Sequence, residues 1–148
     1  IPTKDEGFID KPIAENMAHR GKMIIAKRGK PSQTSYKVIE TFRNFSLVEA
    51  HIHTGRTHQI RVHLQFIGHP LAVDVLYGRR EGFNLSEVKG RKYQIGKHVD
   101  ERPLMSRSTL HAFKLVLEHP VTNEKMTFEA PLPKDFGAVL KQLRRWGK

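Results

Sequence analysis

Between Gln33 and Ile67 the chain changes its hydrophobic period once, at a single glycine, and that change limits the fold more than any other feature. From Gln33 to Phe42, residues Tyr36, Val38 and Glu40 alternate with Ser35, Lys37 and Ile39. From Phe45 to His53, residues Phe45, Leu47, Glu49 and His51 share one face and Ser46, Val48, Ala50 and Ile52 the other. A period of two is a strand signature, and the two-residue joint Arg43-Asn44 makes the pair an antiparallel hairpin. Past Thr54-Gly55-Arg56 the period lengthens: Ile60, Leu64 and Ile67 recur at helical spacing. Thr57 stands where an N-cap is wanted, Gly68 where a left-handed C-terminal cap is wanted, and Pro70 blocks continuation. The spacing predicts a helix over His58 to Ile67, fed directly by a strand.

Residues 1 to 22 mix Pro, Gly and charge without a period and predict an extended lead-in; Lys22 to Lys27 (KMIIAK) predicts a short strand. Residues 78 to 109 are polar and basic without a sustained period, and the stretch 79–107 predicts a long surface loop or insertion. Leu110 to Glu118 and Lys125 to Ala130 predict two strands about the turn HPVTNE, and Phe136, Leu140 and Leu143 predict a helix over Lys134 to Trp146. The fold class is α+β with a mainly antiparallel sheet and flanking helices. A length of 148 residues suits one domain.

Charge and composition narrow the partners. The 26 Lys plus Arg against 15 Asp plus Glu give a formal charge of +11, spread from Lys4 to Lys148, which points to a polyanion and first to nucleic acid. With no cysteine there is neither a disulfide nor a thiolate metal site, and a reducing, cytoplasmic setting fits. No apolar stretch approaches the roughly 20 residues that span a bilayer, and IPTKDEGFID lacks the layout of a secretory signal.

Four histidines and two arginines fall within residues 51 to 63. A metal site is disfavoured: on a helix His58 and His63 would lie about 140° apart, and Arg56 and Arg61 would repel a cation. A purely architectural reading accounts for Ile60, Leu64 and Ile67 but not for the arginines. An anion-handling site accounts for both, because a strand-to-helix junction exposes backbone N–H groups and Arg61, one turn in, can grip a carboxylate or phosphate bidentately. The residues by themselves lead to a basic α+β domain that binds RNA or phosphate.

The stretch HTGRTHQIRVHLQFIGHPLAVDVLYG, His53 to Gly78, resembles the signature of the RluA-type RNA pseudouridine synthases: TGRTHQIRVH, an IGHPL element, then D-x-x-YG. The similarity continues in STLHAFKLVLEHPVTNEKMTFEAPLPKDF (Ser108 to Phe136), in GFIDKPI (Gly7 to Ile13) and in GKPSQTSYKVIE (Gly29 to Glu40). The resemblance implies isomerisation of uridine to pseudouridine in structured ribosomal or transfer RNA, on a flipped-out base, with no metal or organic cofactor. It implies that Arg61, in the HQIR element, pairs with a catalytic aspartate, and that Thr54, Gly55, Arg56, Thr57, His58, Gln59, Ile60 and His63 form the substrate and RNA-binding surface. Arg79, Arg80, Lys89, Arg91, Lys92 and Lys97 are further candidates for phosphate contact.

The chain departs from the family in two respects: none of Tyr36, Tyr77 and Tyr93 matches the position of the tyrosine that lines the family's uracil pocket, and the catalytic aspartate has no counterpart. The family aspartate lies in an HRLD element, and none of Asp5, Asp10, Asp74, Asp100 and Asp135 has that context. Asp74, in D-x-x-YG, is expected to fix a turn, with Leu76 and Tyr77 packed beneath the site. The expectation is therefore a C-terminal portion of a single synthase catalytic domain, residues 1–148, supplying the arginine half of an active site and inactive without its N-terminal part. The alternative is a non-catalytic RNA-binding domain that retains the synthase scaffold.

Overall fold

In a computed structural model, which describes residues 2, 4–90, 93 and 100–148, the centre of the fold is the expected hairpin. β4 (Gln33–Thr41) and β5 (Ser46–Ile52) pair antiparallel about Arg43-Asn44, closed by the Phe42 N–H donating to Phe45 O at 2.8 Å. Two features of this region escape the alternation pattern. The register shifts between Val38 and Glu40, a bulge at Ile39 that reverses which face each later side chain occupies. The lead-in is also not merely extended: β1 (Glu6–Asp10) pairs with β4, giving a three-stranded sheet in the order β1-β4-β5. β2 (Ile13–Glu15) forms a second small hairpin with β3 (Met23–Ile25), inside the KMIIAK run. Strands of three to five residues are too short to display a period, so their pairing partners reveal them.

The helix after the junction is α1 (Gln59–Phe66). Its end follows the sequence signals: Gly68 has φ 85°, its N–H donates to Gln65 O, and the His69 N–H reaches Leu64 O at 2.9 Å. These two bonds make a Schellman motif, which needs a residue at positive φ, where glycine carries no Cβ penalty. The start differs from expectation. His58, not Thr57, occupies the N-cap position, with φ 56° and no side-chain cap, and Thr57 is exposed.

The segment 79–107 is a correction. Phe83 is fully buried, Met105 is nearly so, the two bridge as an isolated β pair, and α2 (Leu85–Lys89) lies between them. Both ends of the supposed loop are core, because Phe83 and Met105 supply apolar area that the long polar stretch conceals; Arg91, Lys92 and Lys97 lie outside the described residues. β6 (Lys114–Glu118) and β7 (Lys125–Glu129) pair as a hairpin, with β6 starting four residues later than the alternation suggests. α3 (Lys134–Trp146) matches its expected bounds, with Asp135 in its first turn and Arg144 and Arg145 in its last, the signs the helix dipole favours.

Two cores result. Phe42, Val73, Phe83, Met105, Val139, Leu140 and Leu143 form one, at the turn end of the central hairpin. Ile13, Val62 and Tyr77 form the other, beneath α1. Phe66 and Phe113 are half exposed and belong to neither core. Along β6–β7 Leu115, Val116, Leu117 and Phe128 are all 38% exposed or more, so this hairpin covers neither core.

Candidate active site

The junction is held by one side chain that the sequence reading put on the RNA-binding surface. Gln59 is 4% exposed, and its amide makes four hydrogen bonds. Its Oε1 accepts from Thr54 Oγ1 at 2.7 Å and from the Arg56 N–H at 3.1 Å. Its Nε2 donates to Gln33 O at 2.8 Å and to Thr34 Oγ1 at 3.0 Å. Two acceptor and two donor positions are the whole capacity of the group, so Gln59 ties the Thr54-Gly55-Arg56 turn to β4 and has no polar atom to spare for a ligand. Thr54 completes the knot by accepting from the Gln33 N–H at 3.0 Å.

His63 is likewise turned inward. It is fully buried, with Nδ1 2.9 Å from Thr34 Oγ1 and Nε2 3.0 Å from Lys11 O. Since Lys11 O can only accept, Nε2 carries the proton; Thr34 Oγ1, already accepting from Gln59, donates to Nδ1. The ring is thus neutral, and burial lowers its pKa, partly opposed by the Lys11 carbonyl. His63 spaces α1 from β1 and β4 and does not reach the outer surface. The helical period that buries Val62 and Leu64 carries His63 with them.

Arg61 faces the other way and meets a carboxylate. Its Nε donates to Asp74 Oδ2 at 2.7 Å and its Nη2 to Asp74 Oδ1 at 2.6 Å. Asp74 Oδ1 also accepts from the Leu76 and Tyr77 N–H groups at 3.0 and 3.1 Å. Asp74 therefore fixes its turn as D-x-x-YG implies, and in the same act orients Arg61. The resemblance assigned Arg61 to an HRLD aspartate; within this chain its partner is Asp74, thirteen residues on and brought back by the Gly68–Pro70 break. Burial raises the Asp74 carboxyl, but the Arg61 hydrogen bonds and the two N–H groups outweigh it and hold the pKa below its ordinary value. Arg61 is held protonated by the same contact.

Tyr77 forms the floor. It is 3% exposed, its ring centroid lies 4.8 Å from Arg61 Cζ, and its hydroxyl oxygen accepts from the Met23 N–H at 2.7 Å. That hydroxyl is also hydrogen-bonded to His58 Nδ1, at 2.9 Å. Burial, then the Arg61 charge, lowers the His58 pKa and favours the neutral ring. This bond compensates a left-handed backbone at His58 that costs about 1–2 kcal/mol for an L-residue. Tyr77 packs under the site as expected, whereas Leu76 is 42% exposed.

A guanidinium has five N–H groups. Two are spent on Asp74; three remain, on Nη1 and Nη2, and the Arg61 side chain is 15% exposed. Arg61 lines a cleft of about 250 Å³ together with Arg56, His58, Gln59, Ile60, Ile52 and Leu110. An Asp74-anchored, ring-backed arginine with an open edge on a small, partly apolar cleft can take a second carboxylate or a phosphate in a planar fork. Arg56, exposed at the rim, donates from Nε to Pro31 O at 3.2 Å. Among the loop cations Arg79 is exposed, Arg80 is occupied by Glu87 at 2.6 Å, and Lys89 lies in a separate cavity. Among the described residues no three of His, Asp and Glu converge as a metal site would require, and no helix is long and apolar enough to cross a membrane.

The family model described as RNA pseudouridylate synthase matches residues 1–66. The chain is 39% identical over 139 residues to ribosomal large subunit pseudouridine synthase D of Nitrosomonas europaea, covering 94% of the chain and 37% of that protein. It is 40% identical over 143 residues to an RNA pseudouridine synthase of Bacillus subtilis whose name marks it as uncharacterised, covering 97% of the chain and 41% of that protein. The chain thus spans well under half the length of these relatives. Among solved structures, human RNA pseudouridylate synthase domain containing 1 and domain containing 4 superpose with TM-scores of 0.59 and 0.61, each at 27% identity over 97% of this chain, and over 61% and 58% of theirs. Motif, fold and relatives agree: over nearly its whole length the chain is similar to RNA pseudouridine synthases.

Proposed function

We propose that this chain carries the arginine half of an RNA pseudouridine synthase active site and acts on uridine only when a segment bearing the catalytic aspartate completes the cleft. The observation that carries this reading is the open edge of Arg61: a guanidinium already oriented by Asp74 and Tyr77, with three N–H groups left on the cleft wall. A carboxylate bound there stays ionised in a partly desolvated site because the arginine opposes the cost of burial. The isomerisation breaks the C1'–N1 bond, turns the freed uracil and forms C1'–C5; the C5 proton is lost and N1 regains one. No redox change or group transfer is involved, and so no cofactor is called for. The target uridine must leave its stack to enter, and Arg56 at the rim is placed to hold a neighbouring phosphate.

The names of the bacterial relatives favour ribosomal RNA as the substrate, with transfer RNA the second to assay, and a cytoplasmic site of action follows from either. The hairpin β6–β7 supports the need for a further segment. A two-stranded hairpin is marginal in water by itself, and this one leaves Leu115, Val116 and Phe128 at 56%, 44% and 49% exposure. The remainder of the catalytic domain is the partner we assign to that face. Asp74 is an unsuitable nucleophile, since both its oxygens are occupied by Arg61 and Oδ1 by two backbone donors as well.

The decisive measurement is pseudouridine formation on a ribosomal RNA transcript, by the chain alone and joined to a segment carrying HRLD. The joined protein should be active and the chain alone inactive, and Arg61→Ala in the joined protein should abolish turnover while leaving RNA affinity within about twofold. Isomerisation by the 148 residues alone would overturn the division of labour, and an active Arg61→Ala variant would remove the role of the arginine.

A further inference from the structure

A second recess, larger than the cleft, lies at the other end of the central hairpin, about 20 Å from the cleft by the rise of β5 from Ser46 to Ile52. It is a cavity of about 590 Å³, between the Arg43-Asn44 turn, α2 and the last turn of α3. Phe45, Leu143 and Trp146 give it apolar walls, and Arg43, Lys89 and Lys148 line it with cations. The volume is in the range that holds a small ligand. The walls are well fixed, because the Arg43 N–H donates to Gly147 O at 2.5 Å and ties the helix end to the hairpin turn.

The charges are distributed in a way that core packing does not require. The neighbouring arginines are taken up: Arg80 by Glu87 at 2.6 Å and Arg144 by Glu40, Nε to Oε2 at 3.0 Å. Glu87, the acidic residue on the cavity wall, is further engaged by the Asn84 N–H at 3.1 Å. Arg43, Lys89 and Lys148 line the recess and form no ion pair among the described residues, although the Lys148 charge also acts on Glu40. The Lys89 Nζ stands 5.1 Å from the Trp146 ring and 6.0 Å from the Tyr93 ring, and Arg145 Cζ lies 4.8 Å from the Trp146 ring. Cations interleaved with aromatic rings beside an open recess are the chemistry that holds one nucleotide of a single strand: phosphate on the ammonium and guanidinium groups, base against an aromatic wall.

We infer that this recess is a second RNA-binding site, one that holds a single-stranded nucleotide remote from the uridine being modified. The inference shares with the proposed function only the premise that the ligand is RNA. An oligonucleotide without uridine therefore tests it separately from the isomerisation.

Trp146 is the one tryptophan of the sequence, so intrinsic fluorescence reports on this recess directly. Titration of the chain with hexacytidylate should quench its emission saturably. Three phosphate-contacting cations at about −0.7 each predict a slope of log affinity against log salt near −2. Lys89→Gln should bring that slope to about −1.4, and Lys148→Gln, at an exposed position where no packing is lost, should do the same. Arg56→Gln, at the distant cleft, should leave the Trp146 signal unchanged. Polyglutamate, acidic but without bases, should not quench. An emission indifferent to hexacytidylate, equal quenching by polyglutamate, or a salt slope untouched by both lysine variants would each overturn the site. Quenching by hexacytidylate alongside an inactive joined enzyme would leave the site standing and count against the proposed function.

Discussion

Asp74→Asn isolates what the carboxylate does for Arg61, since it preserves shape and removes charge. Asp74 Oδ1 accepts from Arg61 Nη2 and from the Leu76 and Tyr77 N–H groups, whereas Oδ2 accepts only from Arg61 Nε. The asparagine will keep its carbonyl at the Oδ1 position, where three donors converge, and set its amide against Nε–H. One charge-assisted hydrogen bond, worth about 1.5–3 kcal/mol, becomes a contact between two donors, and the guanidinium loses its counter-charge. The pair is little exposed, 15% for the Arg61 side chain and 0% for that of Asp74, so solvent screening spares most of this. A loss of about 2–3 kcal/mol is expected, at or just below the 3–5 kcal/mol typical of breaking a fully buried pair by removing one partner. In a chain of this length that is about 4–12 °C in Tm, read by circular dichroism. Arg61→Met should be as damaging, because it strands the Asp74 charge, and combining it with Asp74→Asn should recover part of the loss, the sign of coupling a double-mutant cycle detects. An Asp74→Asn protein within about 0.5 kcal/mol of wild type, or additive single losses, would refute the reasoning.

Acidification should weaken the α1 region. His63 and His58 have pKa values lowered chiefly by burial, so their contribution is complete above the unfolded value of about 6.5 and is lost as pH falls through the lower folded values; the urea midpoint should drop between about pH 7.5 and 5.5, less so in His63→Gln, and a midpoint that rises would contradict the tautomer assigned to His63. Gly29→Ala should be severe, since an added Cβ would lie 2.6–2.8 Å from backbone atoms of Ile13, and a loss of at least the 1–3 kcal/mol typical of overpacking is expected in thermal melts; a neutral result would mean that β2 can shift freely. Arg107→Gln breaks the well-formed but exposed pair with Asp135, 2.8 Å at both contacts, and should change stability by no more than about 1 kcal/mol; a larger loss would give that pair an unexpected weight in anchoring α3.

What the sequence made legible follows from where the physics is local. β4, β5, α3 and the end of α1 are each fixed by a period or a cap contained in their own residues, and their positions hold within a residue or two. β1 is stabilised by partners 23 to 31 residues away and β2 by partners 8 to 12 residues away, and both are too short to carry a period of their own. Phe83 and Met105 bridge across a stretch whose composition reads as solvent-exposed, so their burial is invisible until the chain closes. At the site, Arg61 was legible as an anion-binding side chain because the helix phase turns it out of the core. Its pairing with Asp74 was not, since a salt bridge across a reversal of direction leaves no spacing rule. Gln59 and His63 show the limit of a contiguous motif: TGRTHQIRVH reads as one functional surface, and every third or fourth residue of it is scaffold.

The bulge at Ile39 gives the central hairpin an architecture of two opposed loyalties. Before it, Thr34 faces α1 and the His63 ring; after it, Glu40 pairs with Leu47, and Phe42 and Leu47 pack into the core of α3 on the opposite side of the ribbon. One inserted residue thus lets a single pair of strands act as the roof of one compartment and the floor of another. Deleting Ile39 would leave Glu40 opposite Leu47 but remove the bend and the extra twist that a bulge gives its strand, and so change the angle between the two compartments. For an engineer or for natural selection, that makes this hairpin intolerant of length change at its middle, while the recess at one end and the cleft at the other can be altered side chain by side chain with little cross-talk.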